Sequence, residues 1–275
     1  MRFAWKNLIF FTAYGAAVIY IHHELQHNGI DVYIPYAPLG TIGIAVAFYV
    51  GFKNNQSYDR FWEGRKIWGG IVNYSRTWGN QVMNYLEQSN MSEEELYNTK
   101  KRLIYRHIAW INALRLQLRR PSSFSTNHAK RGTGKFYQGA PGGEHWKSDV
   151  GPFLLDSDIK QCKEYKNVAT QLVRFQGAEL KTLVKDGSIN EFEHINMMET
   201  LEESYNLQGK CERIKNTPLP RQYAYFSYIF TWIFLVVLPF GLVGLYTDMG
   251  HGYIWLTLPS YIVISWIFIT MEKVG

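Results

Sequence analysis

The sharpest chemical signal in this 275-residue chain is His23-Glu24-Leu25-Gln26-His27. On a helix, histidines four apart share one face, and the glutamate beside them would activate a metal-bound water, as in zinc hydrolases. A third ligand is required, and Asp31, Asp248 and His251 are the candidates that topology brings near. The pentapeptide is short enough to recur by chance, and Asn28-Gly29 ends its helix at once. The plainer reading is preferred: polar residues closing the interfacial end of an apolar helix. Gly132-Thr133-Gly134-Lys135 has the glycines and lysine of a phosphate loop without its spacing, and Phe136 stands where a hydroxyl should hold the metal. Glu93-Glu94-Glu95 reads as a solvated helix start favoured by the helix dipole, and His107 as a packed histidine on an apolar helical face. The chain is therefore expected to be no enzyme and to need no cofactor or metal.

The elements around these residues point to a membrane. Net charge is +6, which would ordinarily raise nucleic acid as a partner, but the charge is unevenly placed. Nearly all Lys and Arg lie between Lys53 and Arg221, and the ends carry only Arg2, Lys6 and Lys273. Four apolar runs occupy those ends: Leu8–Ile21, Tyr36–Phe52, Tyr223–Tyr246 and Tyr253–Met271. A bilayer core of roughly 30 Å needs about 20 helical residues, so the first run is marginal and the others suffice. The links His22–Pro35 and Thr247–Gly252 contain no Lys or Arg. The positive-inside rule then makes the basic middle and both termini cytoplasmic. Aromatics, 16% of the chain, gather in and beside the apolar runs, as at membrane interfaces. Cys162 and Cys211 have no metal spacing and read as free thiols in a reducing compartment. No cleavable signal is evident, because His22-His23-Glu24 follows the first run where small residues would be needed.

The stretch from Ala37 to Arg65 passes from apolar to polar without a helix breaker, as a helix leaving hydrocarbon for water would. Ile44, Phe48 and Phe52 recur at i, i+4 and i+8 on one face, and Gly40, Gly43, Ala45, Ala47 and Gly51 let other helices approach the rest. By spacing alone, ordinary packing explains that stripe better than a ring-shaped constriction. Trp62, Trp68 and Trp78, with Tyr58, Phe61 and Tyr74, crowd the following segment, which predicts burial against other helices or subunits. Ser57 to about Glu87 is expected to stay helical. Ser92 to Glu95 forms a capping box for a helix to about Arg120, and Ser188 to Glu191 is a second one for a helix to about Leu207 or Arg213. Asp156 to Lys185 reads as helix, Pro121–Pro152 as a flexible, basic insertion, and Pro239 should kink the third run. The division expected is 1–56, a first membrane pair; 57–220, a cytosolic helical region; and 221–275, a second membrane pair.

Three blocks carry a resemblance. Asn54-Asn55-Gln56-Ser57-Tyr58-Asp59-Arg60-Phe61-Trp62-Glu63-Gly64-Arg65 with Trp68 resembles the signature of the bacterial bestrophins. So do Arg106-His107-Ile108-Ala109 with Ala113-Leu114-Arg115 and Gln117-Leu118-Arg119, and Cys211 to Pro220 followed by Leu238-Pro239-Phe240-Gly241-Leu242. The resemblance implies an all-α membrane protein, a homopentameric ion channel with four membrane helices per subunit and a large helical cytosolic region. It implies a hydrophobic neck lined by the second helix at Ile44, Phe48 and Phe52, and a cytosolic aperture at Leu219, where family members usually have Ile or Val. Animal members carry an acidic, calcium-binding cluster after the fourth helix. This chain ends at Gly275 without one and reads as shortened, so calcium gating is not carried over. Animal members conduct chloride and bacterial ones favour monovalent cations, so the resemblance implies a sodium or potassium channel of the inner membrane. The rivals are a chloride channel of the same architecture, a membrane zinc hydrolase using His23, Glu24 and His27, and a non-conducting scaffold.

Overall fold

The computed structural model describes residues 5–29, 33–88, 91–120, 144–217 and 220–274. Among them the regular structure is helical throughout. The chain divides into two compact units, Met1–Phe61 with Leu219–Gly275, and Trp62–Pro218.

The first unit is built from α1 (Trp5–His27), the first half of α2 (Tyr36–Tyr85), α8 (Arg221–Asp248) and α9 (Thr257–Val274), with a 3₁₀ turn at His251–Leu256 before α9. Each of these four helices is long and apolar enough to cross a membrane. The first runs six residues further than its apolar core, to His27. Much of their apolar surface faces outward (Ile9, Phe10, Tyr20, Ile233, Val263 and Trp266 are exposed), as helices dissolved in lipid require. What they bury against one another is aromatic and small: Phe11 meets Trp232 at 5.1 Å between ring centroids and Tyr261 edge-on at 6.1 Å. Gly15 lies against Tyr261, where a Cβ would fall 2.5 Å from the ring, so only glycine lets α1 approach α9 there.

α8 continues as helix through Pro239. Proline has no N–H to donate to the carbonyl four residues back, Leu235. The buried Tyr261 hydroxyl donates to that oxygen at 2.9 Å, and Tyr14 donates to the neighbouring Val236 oxygen at 3.0 Å. Two phenols from other helices thus satisfy the backbone that proline disrupts, which a membrane interior demands.

The second unit is carried by the second half of α2, α3 (Glu93–Arg119), α4 (Glu144–Asp149), α5 (Asp156–Cys162), α6 (Val168–Lys185) and α7 (Glu191–Asn216). Its core is apolar and tight: Trp78, Leu103, Trp110, Leu114, Leu172, Leu180, Met197 and Leu201 are each at most 1% exposed. α3 begins on the expected box, with Ser92 and Glu95 capping each other. The second box is displaced by two residues. Asn190 is the cap and Glu193 its partner, while Ser188 is buried and its carbonyl accepts from the Glu87 amide. The helix expected from Asp156 to Lys185 is broken at residues 163–167, and Asn167 caps its second half by accepting from the Thr170 amide. Of the expected insertion, residues 121–143 lie outside the described residues, and 144–153 form α4 and a 3₁₀ turn anchored by buried Trp146 and Val150 rather than a loop. Cys162 and Cys211 are both free, and burial pushes their thiols up to about 12 and about 11, so neither is poised to react.

His107 is a core residue, as expected. Its ring lies against Trp78 and Trp110, with Nε2 2.9 Å from the Ser75 hydroxyl. Desolvation lowers its pKa from 6.5 to about 4. Between those values the unfolded chain takes up a proton that the folded chain refuses. The stability contributed is therefore full above about pH 6.5 and lost as pH falls toward 4, about 3 kcal/mol in all. Thermal unfolding in detergent between pH 7.5 and 4.5 should show a steeper acid loss for the native chain than for His107→Gln; parallel curves would refute the assignment.

Candidate functional site

α2 presents two unlike faces where it passes through the first unit. Leu39, Val46, Val50 and Lys53 are at most 6% exposed and point the same way. Gly43 lies on that side against Phe234, whose ring would sit 2.9 Å from an added Cβ, and Tyr49 stacks on Tyr223 at 4.4 Å. Ile44, Phe48 and Phe52 take the opposite side and are 62%, 65% and 56% exposed. The Phe48 and Phe52 rings are 6.4 Å apart. Ala47, Phe48, Gly51, Phe52 and Asn55 line a shallow groove of about 360 Å³ along this face. The division is set by packing: Gly43 and Leu39 lie against Phe234 and Gly241 of α8, whereas the stripe faces away from that helix and stays open.

One residue of the buried side went unnoticed in the sequence reading. Lys53, one position after Phe52, turns inward and donates from Nζ to the backbone oxygen of Glu272 at 2.6 Å and to its carboxylate at 3.2 Å. The pair ties α2 to the end of α9 and withdraws the first positive charge after the stripe from the exposed face. The available signal was a lysine and a glutamate at the polar ends of two apolar helices, but nothing in the chain order pairs residues 219 positions apart.

Leu219 lies outside the described residues. His23, Glu24 and His27 are exposed on the last turns of α1. No group of three or more His, Cys, Asp or Glu side chains able to hold a metal occurs among the described residues, and Asp31 lies outside them. The aromatic segment after the stripe is mostly open within one chain, where burial against other helices or subunits was expected. Trp78 alone of its six rings is fully buried; Tyr58, Phe61 and Trp62 are 62%, 63% and 43% exposed, and Trp68 and Tyr74 are also open. Among the described residues of one chain these rings are not buried.

In the second unit, a groove of about 660 Å³ between α6 and α7 is lined by Val173, Gly177, Ile195, Met198 and Tyr205. It is larger than the groove on α2 and mostly apolar.

The family model described as Bacterial/Fungal Bestrophin protein matches residues 2–275. The chain is 28% identical over 237 residues to the "Voltage-dependent anion channel-forming protein RSc3414" of Ralstonia nicotianae, covering 86% of this chain and 67% of that protein. It is 24% identical over 268 residues to the "Voltage-dependent anion channel-forming protein YneE" of Escherichia coli K12, covering 97% and 75%. Among solved structures, a bacterial bestrophin homologue from Klebsiella pneumoniae superposes with a TM-score of 0.77 at 22% identity, over 97% of this chain and 85% of that one. The same helical architecture is therefore found in both.

Proposed function

This chain belongs to the bacterial and fungal bestrophin family, and from that premise we propose that it forms a passive channel for small monovalent ions across a cell membrane. The observation that carries the reading is the stripe of Ile44, Phe48 and Phe52, exposed on a membrane-length helix whose opposite face is fully packed. Around a symmetry axis, such stripes from several copies make a narrow apolar neck that sets width and wetting. A homopentamer is the assembly proposed, with Leu219 at a second, cytosolic constriction. Open apolar rings at Tyr58, Phe61 and Trp62 support assembly, since a monomer would leave them in water. Residues 1–56 and 221–275 would lie in the inner membrane and 57–220 in the cytosol, with both termini cytoplasmic. Family membership speaks against the zinc hydrolase: the relatives are named as channels, and His23, Glu24 and His27 close a helix end.

On the sign of the ion, two supports point in opposite directions. Resemblance to bacterial members implies cations, whereas the relatives' names say anion, which favours the chloride reading. Purified protein in a planar bilayer under a salt gradient tests both. A current reversing near the cation equilibrium potential supports the first and near the chloride potential the second. No current from folded, oligomeric protein would overturn the channel.

A further inference from the structure

The apolar stripe on α2 does not end in neutral residues. Taking each helical residue as a turn of about 100°, Phe52 lies about 40° from Phe48, and Asp59 falls between the two directions. Asn55 sits on the same face one turn beyond Phe52 and lines the end of the groove. Asp59 comes one further turn on, about 10 Å past Phe52 along the axis. Both Asn55 and Asp59 are exposed. Among the described residues, no cation lies within ion-pair distance of the Asp59 carboxylate.

The positive charges nearby are disposed differently. Lys53 is 6% exposed, turned to the packed side and matched to Glu272. Arg60 is half-buried and about 100° round the helix from Asp59. By register Glu63 follows one turn on, about 40° round and paired with Arg213, and Lys66 two turns on, where its ammonium sits 5.8 Å from the centre of the Trp62 ring. The first fixed charge on the face that continues the stripe is therefore negative, and among the described residues it has no ion-pair partner.

We propose that Asp59 determines ion choice: in the assembled channel its carboxylates form a ring just beyond the neck that concentrates cations and repels anions. This rests on the channel reading above and adds a residue and a sign to it. The apolar neck cannot discriminate charge, because Ile and Phe side chains offer neither a formal charge nor strong dipoles to a passing ion. A ring of carboxylates can, since several like charges at one level of a narrow path add their fields at the axis within a Debye length of about 8 Å.

The test is the reversal potential of the full chain in planar bilayers under a sodium chloride gradient, for the native chain, Asp59→Asn, Asp59→Glu and Asp59→Lys. Asp59 is exposed and makes no hydrogen bond or ion pair among the described residues, so all four should assemble, checked by size-exclusion chromatography. The native chain and Asp59→Glu are expected to prefer sodium. Asp59→Asn should lower the sodium-to-chloride permeability ratio by about tenfold, and Asp59→Lys should carry it below unity. An unchanged ratio in Asp59→Asn, with current present, overturns this inference and leaves the channel standing. Absence of current from all four assembled proteins overturns the channel, and the inference with it.

Discussion

Replacing Arg106 by leucine is expected to destabilise the second unit by about 3–5 kcal/mol, the cost of stranding buried carboxylates without their counter-charge. Arg106 is 5% exposed on α3 and its guanidinium reaches two other helices. Its Nε and Nη2 donate to the Asp158 carboxylate at 3.0 and 2.9 Å, and Nη1 donates to Glu179. Asp158 is 8% exposed on α5, so losing the arginine leaves a largely buried carboxylate without its counter-charge. Glu179 keeps Arg102, which donates to it from Nε at 2.7 Å, so most of the penalty falls on Asp158. Thermal unfolding in detergent should drop by roughly 6–20 °C. The double variant Arg106→Leu with Asp158→Leu, which removes the stranded charge, should recover part of the loss. A midpoint within a degree or two of the native one would show that the network contributes little. The contrast is Arg213 with Glu63, also an arginine–carboxylate pair but 62% and 45% exposed; breaking it should cost no more than about 1 kcal/mol.

Phe48→Ala and Phe52→Ala are expected to raise single-channel conductance several-fold while leaving folding nearly intact. Both rings are more than half exposed in the chain, so their truncation removes little packing. Phe11, 1% exposed, makes the comparison: truncating a buried ring of that kind costs about 3–5 kcal/mol. If the stripe forms the proposed neck, removing a ring of phenyl groups widens it and lowers the cost of wetting it. Unchanged single-channel current in both variants, from protein that still assembles, would remove the stripe from the ion path. Loss of assembly instead would place the stripe in subunit packing, the plain explanation its spacing first suggested.

Much of the architecture was legible in the chain because it depends on local signals. Long apolar runs must be helices in lipid, since no other unclosed structure satisfies its own backbone there. The absence of Lys and Arg from two short links and their concentration in the middle separate two kinds of helix by composition alone. The capping box at Ser92 worked because its two partners are three residues apart. The box read at Ser188 slipped by two residues because Ser188 is drawn into the core, a tertiary demand that outweighed its value as a cap.

The stripe was visible by period, but whether it packed inward or stayed open was not. Ile44, Phe48 and Phe52 have the same composition as a buried face, and only the positions of α8 and α9 decide that Val46, Val50 and Lys53 take the packed side. The same holds for charges. Lys53 and Asp59 look alike in sequence, as polar residues following an apolar run. Glu272 neutralises one from 219 positions away, while the other is left open at the end of the groove. The support of Pro239 by Tyr14 and Tyr261 is of this kind as well. Period and composition, which act within a few turns, settled by themselves that this is a helical membrane protein and which helix carries the stripe. Partners distant along the chain, chosen by how helices pack, settled which of its faces is open and which of its charges remain unpaired.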